Sequence, residues 1–403
     1  MRPRILFVDQ SGAPGGGELQ VLDIAKHYRE TCEVILLSDG PFRAMLEKVA
    51  VPVTVLPAPP AFIDIRRDRR NAYKLSALAP ILGLAQRLAR LAEGHELIYA
   101  NTQKAMILAA LAGRLSRKPV IWHLHDILSA DHFGRGHRWV AVRLANSLVG
   151  RVIANSRATA EAFVAAGGDS TRVTIIYNGI DPSPFALVSE QQQAHLRAGL
   201  SLERAPLIGA FGRLSPWKGQ HVLIDALRLL PGVHALLVGT ALYGEDAYAE
   251  GLRRRAEAMN LADRIHFLGF REDIPDIMSL VSVVVHTSVA PEPFGRVLVE
   301  GMLAKRPVIA TRGGGAPEII EDGTSGVLVP AADPGALARA LAGLLNDKVR
   351  AGRIATNGHE RAHRHFSLDA MLARIDEEIA SVLAGRVTAS GRLYPGPVNA
   401  SRS

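Results

Sequence analysis

The chain has 403 residues, 48% hydrophobic, 21% charged and 5% aromatic, which gives room for about two to three domains and excludes a disordered or collagen-like polymer. Its one cysteine, Cys32, excludes an intrachain disulfide framework and a multi-cysteine metal site, and points to a reducing cytoplasm. Lys and Arg outnumber Asp and Glu by 47 to 39, and residues 51 to 150 alone carry 14 basic against 6 acidic groups, so this N-terminal segment accounts for the whole excess of +8.

After Met1-Arg2-Pro3-Arg4, the apolar run Ile5 to Val8 is cut by Asp9 and is too short for a secretory signal core. A glycine-rich loop, Gly12 to Gly17, follows. Glu18 to Tyr28 then carries Leu19, Leu22, Ile24 and Ala25 at helical spacing, which predicts strand, loop and helix. Strand-length apolar runs recur at Val34 to Leu37, Leu97 to Ala100, Val120 to His123, Val152 to Ala154 and Val173 to Ile176. Leu207 to Phe211 starts the pattern again: Gly212 opens a loop that runs to Gly219, and Val222, Leu223, Ala226 and Leu227 share a helical face. Further runs at Ala235 to Val238, Ile265 to Phe267, Val281 to Val285, Pro307 to Ala310 and Gly326 to Val329 complete a second set. Short β-branched runs alternating with longer helical stretches imply α/β domains whose parallel sheets are covered on both faces.

The turn cluster Asn178-Gly179-Ile180-Asp181-Pro182, with Pro184 close behind, marks the break between the two sets. The expected organisation is an N-terminal doubly wound α/β domain over 1–182, a linker over 183–200 and a C-terminal doubly wound α/β domain over 201–366. A closing helix over 367–385, capped by Ser367, packs back toward the N-terminal domain, and a flexible Gly-, Pro- and Ser-rich tail runs over 386–403. Two doubly wound sheets facing each other place the ligand in an interdomain cleft beyond the carboxyl ends of their strands. No uncharged stretch reaches the ~18 residues that a membrane span needs.

Two loops of the second half carry the chemistry. Gly212-Arg213-Leu214-Ser215-Pro216-Trp217-Lys218-Gly219 sets two cations five residues apart, suited to a diphosphate leaving group whose charge grows as its bond breaks, although an ordinary surface turn has the same composition. Removing Lys218 is then expected to lower turnover and leave the fold intact. Glu292 and Glu300 are separated by about 12 Å of rise if counted along one helix, enough to reach different parts of one elongated ligand. Between them, the N–H groups near Gly295 and Val297 form a helix start that suits a phosphate. The two acids also fit a plain helix, so the pair alone decides nothing. In the first half, the Gly15-Gly16-Gly17-Glu18 loop lacks dinucleotide-site spacing but lets an anion approach the backbone closely.

These elements in this order, together with Asn155-Ser156 and Asn178-Gly179-Ile180-Asp181, resemble glycosyltransferase family 4, the group 1 glycosyltransferases: retaining enzymes of GT-B architecture with two facing Rossmann-like domains. The resemblance spans nearly the whole chain. It implies transfer of a sugar from a nucleotide diphosphate donor to a sugar or lipid-linked acceptor, as in polysaccharide or glycolipid synthesis, with the non-catalytic sugar-nucleotide-binding protein of the same fold as the alternative. It further implies that Arg213 and Lys218 hold the diphosphate, Glu292 the donor sugar and Glu300 the ribose. Gly16 and Gly17 then lie near the phosphates and acceptor, and Phe294, Gly295, Arg296 and Val297 belong to the donor-binding element. The family also places a His near the anomeric carbon; His125 in His123-Leu124-His125-Asp126 matches it, with His123 as the competitor. Two departures stand out: Ser282 where the family often has Asp, and Gly239-Thr240-Ala241 where it often has Gly-x-Gly.

No Asp-x-Asp pair occurs, so the expectation is a transferase needing no metal and no cofactor beyond its donor, with Arg213, Lys218 and helix dipoles neutralising the diphosphate. His359-Glu360-Arg361-Ala362-His363 spells a zinc-protease pattern, but it lies in a charged segment before the last helix and reads as a surface helix. The basic run Arg66, Arg67, Arg69, Arg70 and Lys74 lacks the aromatic interleaving of single-strand nucleic-acid binders. An anionic inner membrane leaflet or plain solvation fits it at least as well, and no nucleic acid partner is expected.

Overall fold

The structure is a computed structural model that describes residues 2–59, 62, 78–129, 133–185, 188–200, 202, 205–242 and 244–385. The basic run at 66–74 and the tail at 386–403 lie outside the described residues. The chain divides into two compact units, one formed by the residues up to Gly179 together with the last helix from Asp369 onward, the other by Ile180–Leu368.

The first unit is a seven-stranded sheet in the order β3-β2-β1-β4-β5-β6-β7. Its strands are β1 (Ile5–Asp9), β2 (Cys32–Leu36), β3 (Val53–Val55), β4 (Leu97–Ala100), β5 (Val120–Leu124), β6 (Arg151–Ala154) and β7 (Val173–Ile175), all paired in parallel. β1, β4, β5 and β6 are buried at every position, which is why they read as continuous apolar runs rather than alternating ones. The edge strand β3 escapes sequence reading because only Val53-Thr54-Val55, between Pro52 and Pro57, forms it, and none of the three is buried.

The second unit is a six-stranded parallel sheet in the order β10-β9-β8-β11-β12-β13. It contains β8 (Leu207–Phe211), β9 (His234–Val238), β10 (Ile265–Gly269), β11 (Val283–His286), β12 (Val308–Thr311) and β13 (Val327–Val329). Both sheets reverse their strand order beside the first strand, between β1 and β4 and between β8 and β11. At such a reversal the two flanking connections leave in opposite directions and open a crevice at the carboxyl ends of the strands. The glycine loops after β1 and β8 both sit at these crevices.

Three sequence expectations shift. The segment 183–200 is not a bare linker: Glu190–Gly199 is a helix with a capping box between Ser189 and Gln192, and Arg197 reaches the Leu280 carbonyl within the second unit. β11 starts at Val283 rather than Val281 and ends at His286, because the helix Ile274–Leu280 runs almost up to it. β5 continues through Leu124, so His123 is an interior strand residue with no exposed surface.

The last helix, Leu368–Leu383, belongs to the first unit through side chains that meet its core. Glu378 pairs with the buried Arg151 at 2.8 Å, Asp376 accepts from His27 and Tyr28, and the Met371 sulfur lies 3.0 Å from the Gln20 amide. Among the described residues no helix is long and apolar enough to cross a membrane.

Candidate functional site

In the second unit the sequence-predicted residues gather at the carboxyl ends of β8 and β11. The loop after β8 is held from two sides. The Gln220 side chain donates to the Arg213 carbonyl and Leu214 N–H donates to the Thr240 carbonyl, while Thr287 Oγ1 donates to the Lys218 carbonyl and Val289 N–H to that of Trp217. Gly219 closes the loop at φ 68°, and a Cβ there would lie 2.1 Å from the Thr287 carbonyl oxygen, so this turn admits only glycine.

Lys218 Nζ donates to both oxygens of Glu292, at 2.6 and 2.7 Å, and lies 4.4 Å from the centre of the Trp217 ring. Glu292 Oε2 also accepts from His286 Nε2 at 3.2 Å and from Ser288 Oγ at 3.0 Å. A carboxylate offers about four lone-pair sites. These bonds saturate Oε2 and leave Oε1 room for one more donor, such as a hydroxyl. Burial alone would raise Glu292; the Lys218 ammonium and the His286 bond outweigh it and hold the carboxyl well below the usual range. The segment carrying Glu292 is fixed by Gly314 at φ 56°, whose missing Cβ would meet the Glu292 carbonyl, and by Gly315 N–H donating to that carbonyl at 2.8 Å.

Arg213 lies 3.4 Å from Glu245, whose other oxygen accepts from Ser215 Oγ at 2.7 Å. The helix Arg296–Leu303 starts at Gly295 with φ 99° and no side-chain cap, so its start presents backbone N–H groups and the positive end of the helix dipole. Glu300 accepts from Arg296 Nε at 2.9 Å, one turn earlier on the same helix. Phe294 is buried, edge-to-face with Phe366 at 5.8 Å, so its side chain anchors the loop and only its backbone is near the helix start. Val297 is partly exposed in the first turn.

The structure corrects one expectation here. Lys218 is the counterion of a nearly buried carboxylate, so removing it alone leaves that charge uncompensated and strains the fold.

In the first unit, four strand ends meet. Asp9 ends β1, Asn101 follows β4, His125 follows β5 and Asn155 follows β6. His125 Nε2 is 2.8 Å from Asn101 Oδ1, Asn101 Nδ2 donates to Asp9 Oδ2, and Asn155 Nδ2 lies 3.4 Å from His125 Nδ1. His123 shares the face, with ring centres 4.0 Å apart, but its Nδ1 bonds the buried Tyr99 hydroxyl. Of the two candidate histidines, only His125 stands past the strand, at the sheet's edge. Burial holds the His125 ring down to about 4, with Asp126 opposing, so at neutral pH it is uncharged.

Gly16 and Gly17 open the helix Gly16–His27, with Gly15 as an N-cap lacking a side-chain bond. Glu18, its third residue, folds back over Gly15 and accepts from that residue's backbone N–H. Burial, with the negative Asp9 beside it, pushes Glu18 up to about 8. Burial likewise pushes Asp9 up to about 6, against bonds from Ser11 and Asn101 that favour its charged form. Gly17 faces His125, since a Cβ added to it would lie 3.5 Å from that ring.

Sequence reading missed Asp9, Asn101 and Asn155 as a group, and His286, Ser288 and Glu245. Each of them sits at or just beyond the carboxyl end of a strand, except Glu245, which lies further along the loop after β9. The available signal was a polar residue closing an apolar run, and ending β11 at Val285 hid His286. The His359 and His363 pair lies on the continuous helix Lys348–His365, where His359 bonds the Leu303 carbonyl.

Two domains of the Rossmann type, each with its strand-order reversal and a glycine loop there, define the GT-B class. The group 1 glycosyl transferase family matches residues 191–361 and glycosyltransferase family 4 matches 14–184. HepE of Anabaena, solved in complex with UDP and glucose, is 41% identical, with a TM-score of 0.88 over 94% of this chain and 100% of that one. The chain belongs to the group 1, family 4 glycosyltransferases. It is also 33% identical over 167 residues to the lipopolysaccharide core biosynthesis glycosyltransferase LpsE of Rhizobium meliloti, a match taking in 41% of this chain and 47% of that protein. A GDP-mannose-dependent alpha-(1-6)-phosphatidylinositol monomannoside mannosyltransferase of Mycolicibacterium smegmatis is 29% identical over 79% of this chain and 85% of its own length. The chain spans about half the length of the first curated relatives it matches.

Proposed function

We propose that this protein transfers a sugar from a nucleoside diphosphate donor to an acceptor hydroxyl with retention of the anomeric configuration, in polysaccharide or glycolipid synthesis. The observation that carries the reading is the loop after β8, where Arg213 and Lys218 stand at the strand-order reversal with Glu292 bound to Lys218. When the pyrophosphate arrives, the two cations take the leaving charge, the start of helix Arg296–Leu303 adds its dipole, and Glu292 is released to receive sugar hydroxyls. Glu300 is set for the ribose and His125 for the transferred sugar. Both proposed clamp cations are protein side chains, so the reading includes catalysis without a divalent ion. UDP-glucose is the first donor to try, because HepE is solved with it. The basic run at 66–74 is assigned to an anionic leaflet on the cytoplasmic side, where a lipid-linked acceptor would be met.

The test is a thermal-shift panel of UDP, GDP and ADP with the native chain. A ligand that binds only the folded state at 100 times its Kd adds about 2.7 kcal/mol. The expected result is a raised Tm with one nucleotide, unchanged by EDTA and abolished by Arg213→Ala. No shift with any of the three ends the donor assignment, and a product of inverted configuration by NMR ends the retaining one.

A further inference from the structure

The first unit's polar cluster contains an ordered chain of hydrogen bonds whose direction is set at one end. Ser11 N–H donates to Asp9 Oδ1 at 3.0 Å and Asn101 Nδ2 donates to Asp9 Oδ2 at 2.5 Å. Both Asp9 oxygens therefore accept, as an ionised carboxylate does. With its amide nitrogen committed to Asp9, Asn101 can offer only its Oδ1 to His125, so His125 Nε2 must carry the proton of the 2.8 Å bond. Nδ1 is then the lone pair, facing the Asn155 amide nitrogen at 3.4 Å, and Asn155 Oδ1 accepts from Thr159 Oγ1 at 2.9 Å. Ser156 Oγ–H closes the run on Thr159 Oγ1 at 3.0 Å. In each of these bonds a donor meets an acceptor without conflict.

We propose that Asp9 and Asn101 are positioning residues that hold His125 as its Nε2–H tautomer, and that Nδ1, whose bond to Asn155 is the longest in the chain, is the ring atom left to accept a substrate hydroxyl. The last clause rests on the proposed sugar transfer; the tautomer does not. The four residues come from the ends of β1, β4, β5 and β6, so the sheet itself fixes their spacing. His125 keeps some exposed surface as a residue, while Asp9, Asn101 and Asn155 are at most 2% exposed. His125 in this state is a fixed dipole rather than a proton carrier.

The experiment reads the tautomer directly. In full-length protein labelled with nitrogen-15 histidine at pH 8, long-range proton–nitrogen correlations distinguish a protonated from a bare ring nitrogen. The native chain is expected to show His125 with Nε2 protonated and Nδ1 bare. In Asp9→Asn, the Ser11 N–H keeps the new amide's oxygen, so its nitrogen now donates to Asn101; that side chain turns over and presents its nitrogen to His125. The prediction is a switch to the Nδ1–H tautomer, a tenfold or greater loss of kcat with UDP-glucose as the probe, and a UDP Kd within twofold of native. Asn155→Ala is expected to leave Nε2–H in place, because control lies on the Asn101 side. A native His125 protonated at Nδ1, or an Asp9→Asn protein that keeps Nε2–H, overturns the proposal; if Asp9→Asn does not fold, the native spectrum and Asn155→Ala decide it. Correct tautomers in a protein that transfers no sugar would sink the functional reading and leave the positioning one standing.

Discussion

Glu292 keeps its charge although its side chain is nearly buried because three donors surround it, and the same arrangement makes Lys218 a structural as well as a chemical residue. Breaking a buried pair from one side costs about 3–5 kcal/mol. Lys218→Ala is therefore expected to lower Tm as well as kcat, whereas Lys218→Ala combined with Glu292→Gln recovers much of the Tm and keeps the kcat loss, about a hundredfold. Calorimetry and turnover on both variants separate the two roles. Glu18 behaves in the opposite way. The folded chain keeps a proton up to about 8 that the unfolded chain releases near 4.5, so between those values the unfolded state binds fewer protons and stability falls as pH rises. Glu18→Gln removes that loss. Its advantage in Tm over the native chain is expected to be small at pH 4.5 and complete above pH 8, each kcal/mol reading as about 2–4 °C in a domain of this size. Gly16 and Gly17 have space for a methyl group in the free protein. Gly16→Ala should preserve Tm, so a raised KM there would report backbone approach by a ligand rather than a folding defect. All these residues sit in loops or first helical turns whose composition was visible in the sequence, but their partners lie up to 74 positions away and were not.

At the scale of elements, the loops after β8, β11 and β12 are knitted together by close backbone approaches. Gly219 and Gly314 are required there for two reasons at once, positive φ and a carbonyl oxygen where a Cβ would go. Gly219→Ala is expected to destabilise by more than the ~1 kcal/mol typical of a strained φ alone, measured by denaturant midpoint, because the Thr287 carbonyl must also move. The last helix shows the same dependence on distant partners. Arg151 is buried in β6 and its charge is balanced by Glu378, so Glu378→Ala leaves a cation with no exposed surface to retreat to and should cost about 3–5 kcal/mol, while Arg151→Met with Glu378→Leu should be nearly neutral. The helix itself was legible from its period: it is expected over 367–385 and runs over Leu368–Leu383. The pairs that hold it to the first unit were not legible: Glu378 meets Arg151 across more than 200 positions.

At the scale of the whole molecule, the excess of basic groups between 51 and 150 gives one further expectation. The protein should co-sediment with vesicles containing anionic lipid and not with neutral ones, and replacing Arg66, Arg67, Arg69 and Arg70 by Gln should abolish this; retention by neutral vesicles would argue against an electrostatic contact. The strands other than β3, the two beginnings at Ile5 and Leu207 and the glycine loops are legible in the chain's own periodicity and composition, because a strand buried on both faces must be apolar throughout. Tertiary structure alone decided that Lys218 rests on Glu292, that Arg296 holds Glu300, and that Asp9, Asn101, His125 and Asn155 form one chain of hydrogen bonds. Local sequence carries the dihedral preferences and the burial pattern of each element; a buried charge or imidazole takes its state from whatever groups the packed sheet brings within about 3 Å, and those come from strands that the sequence keeps far apart.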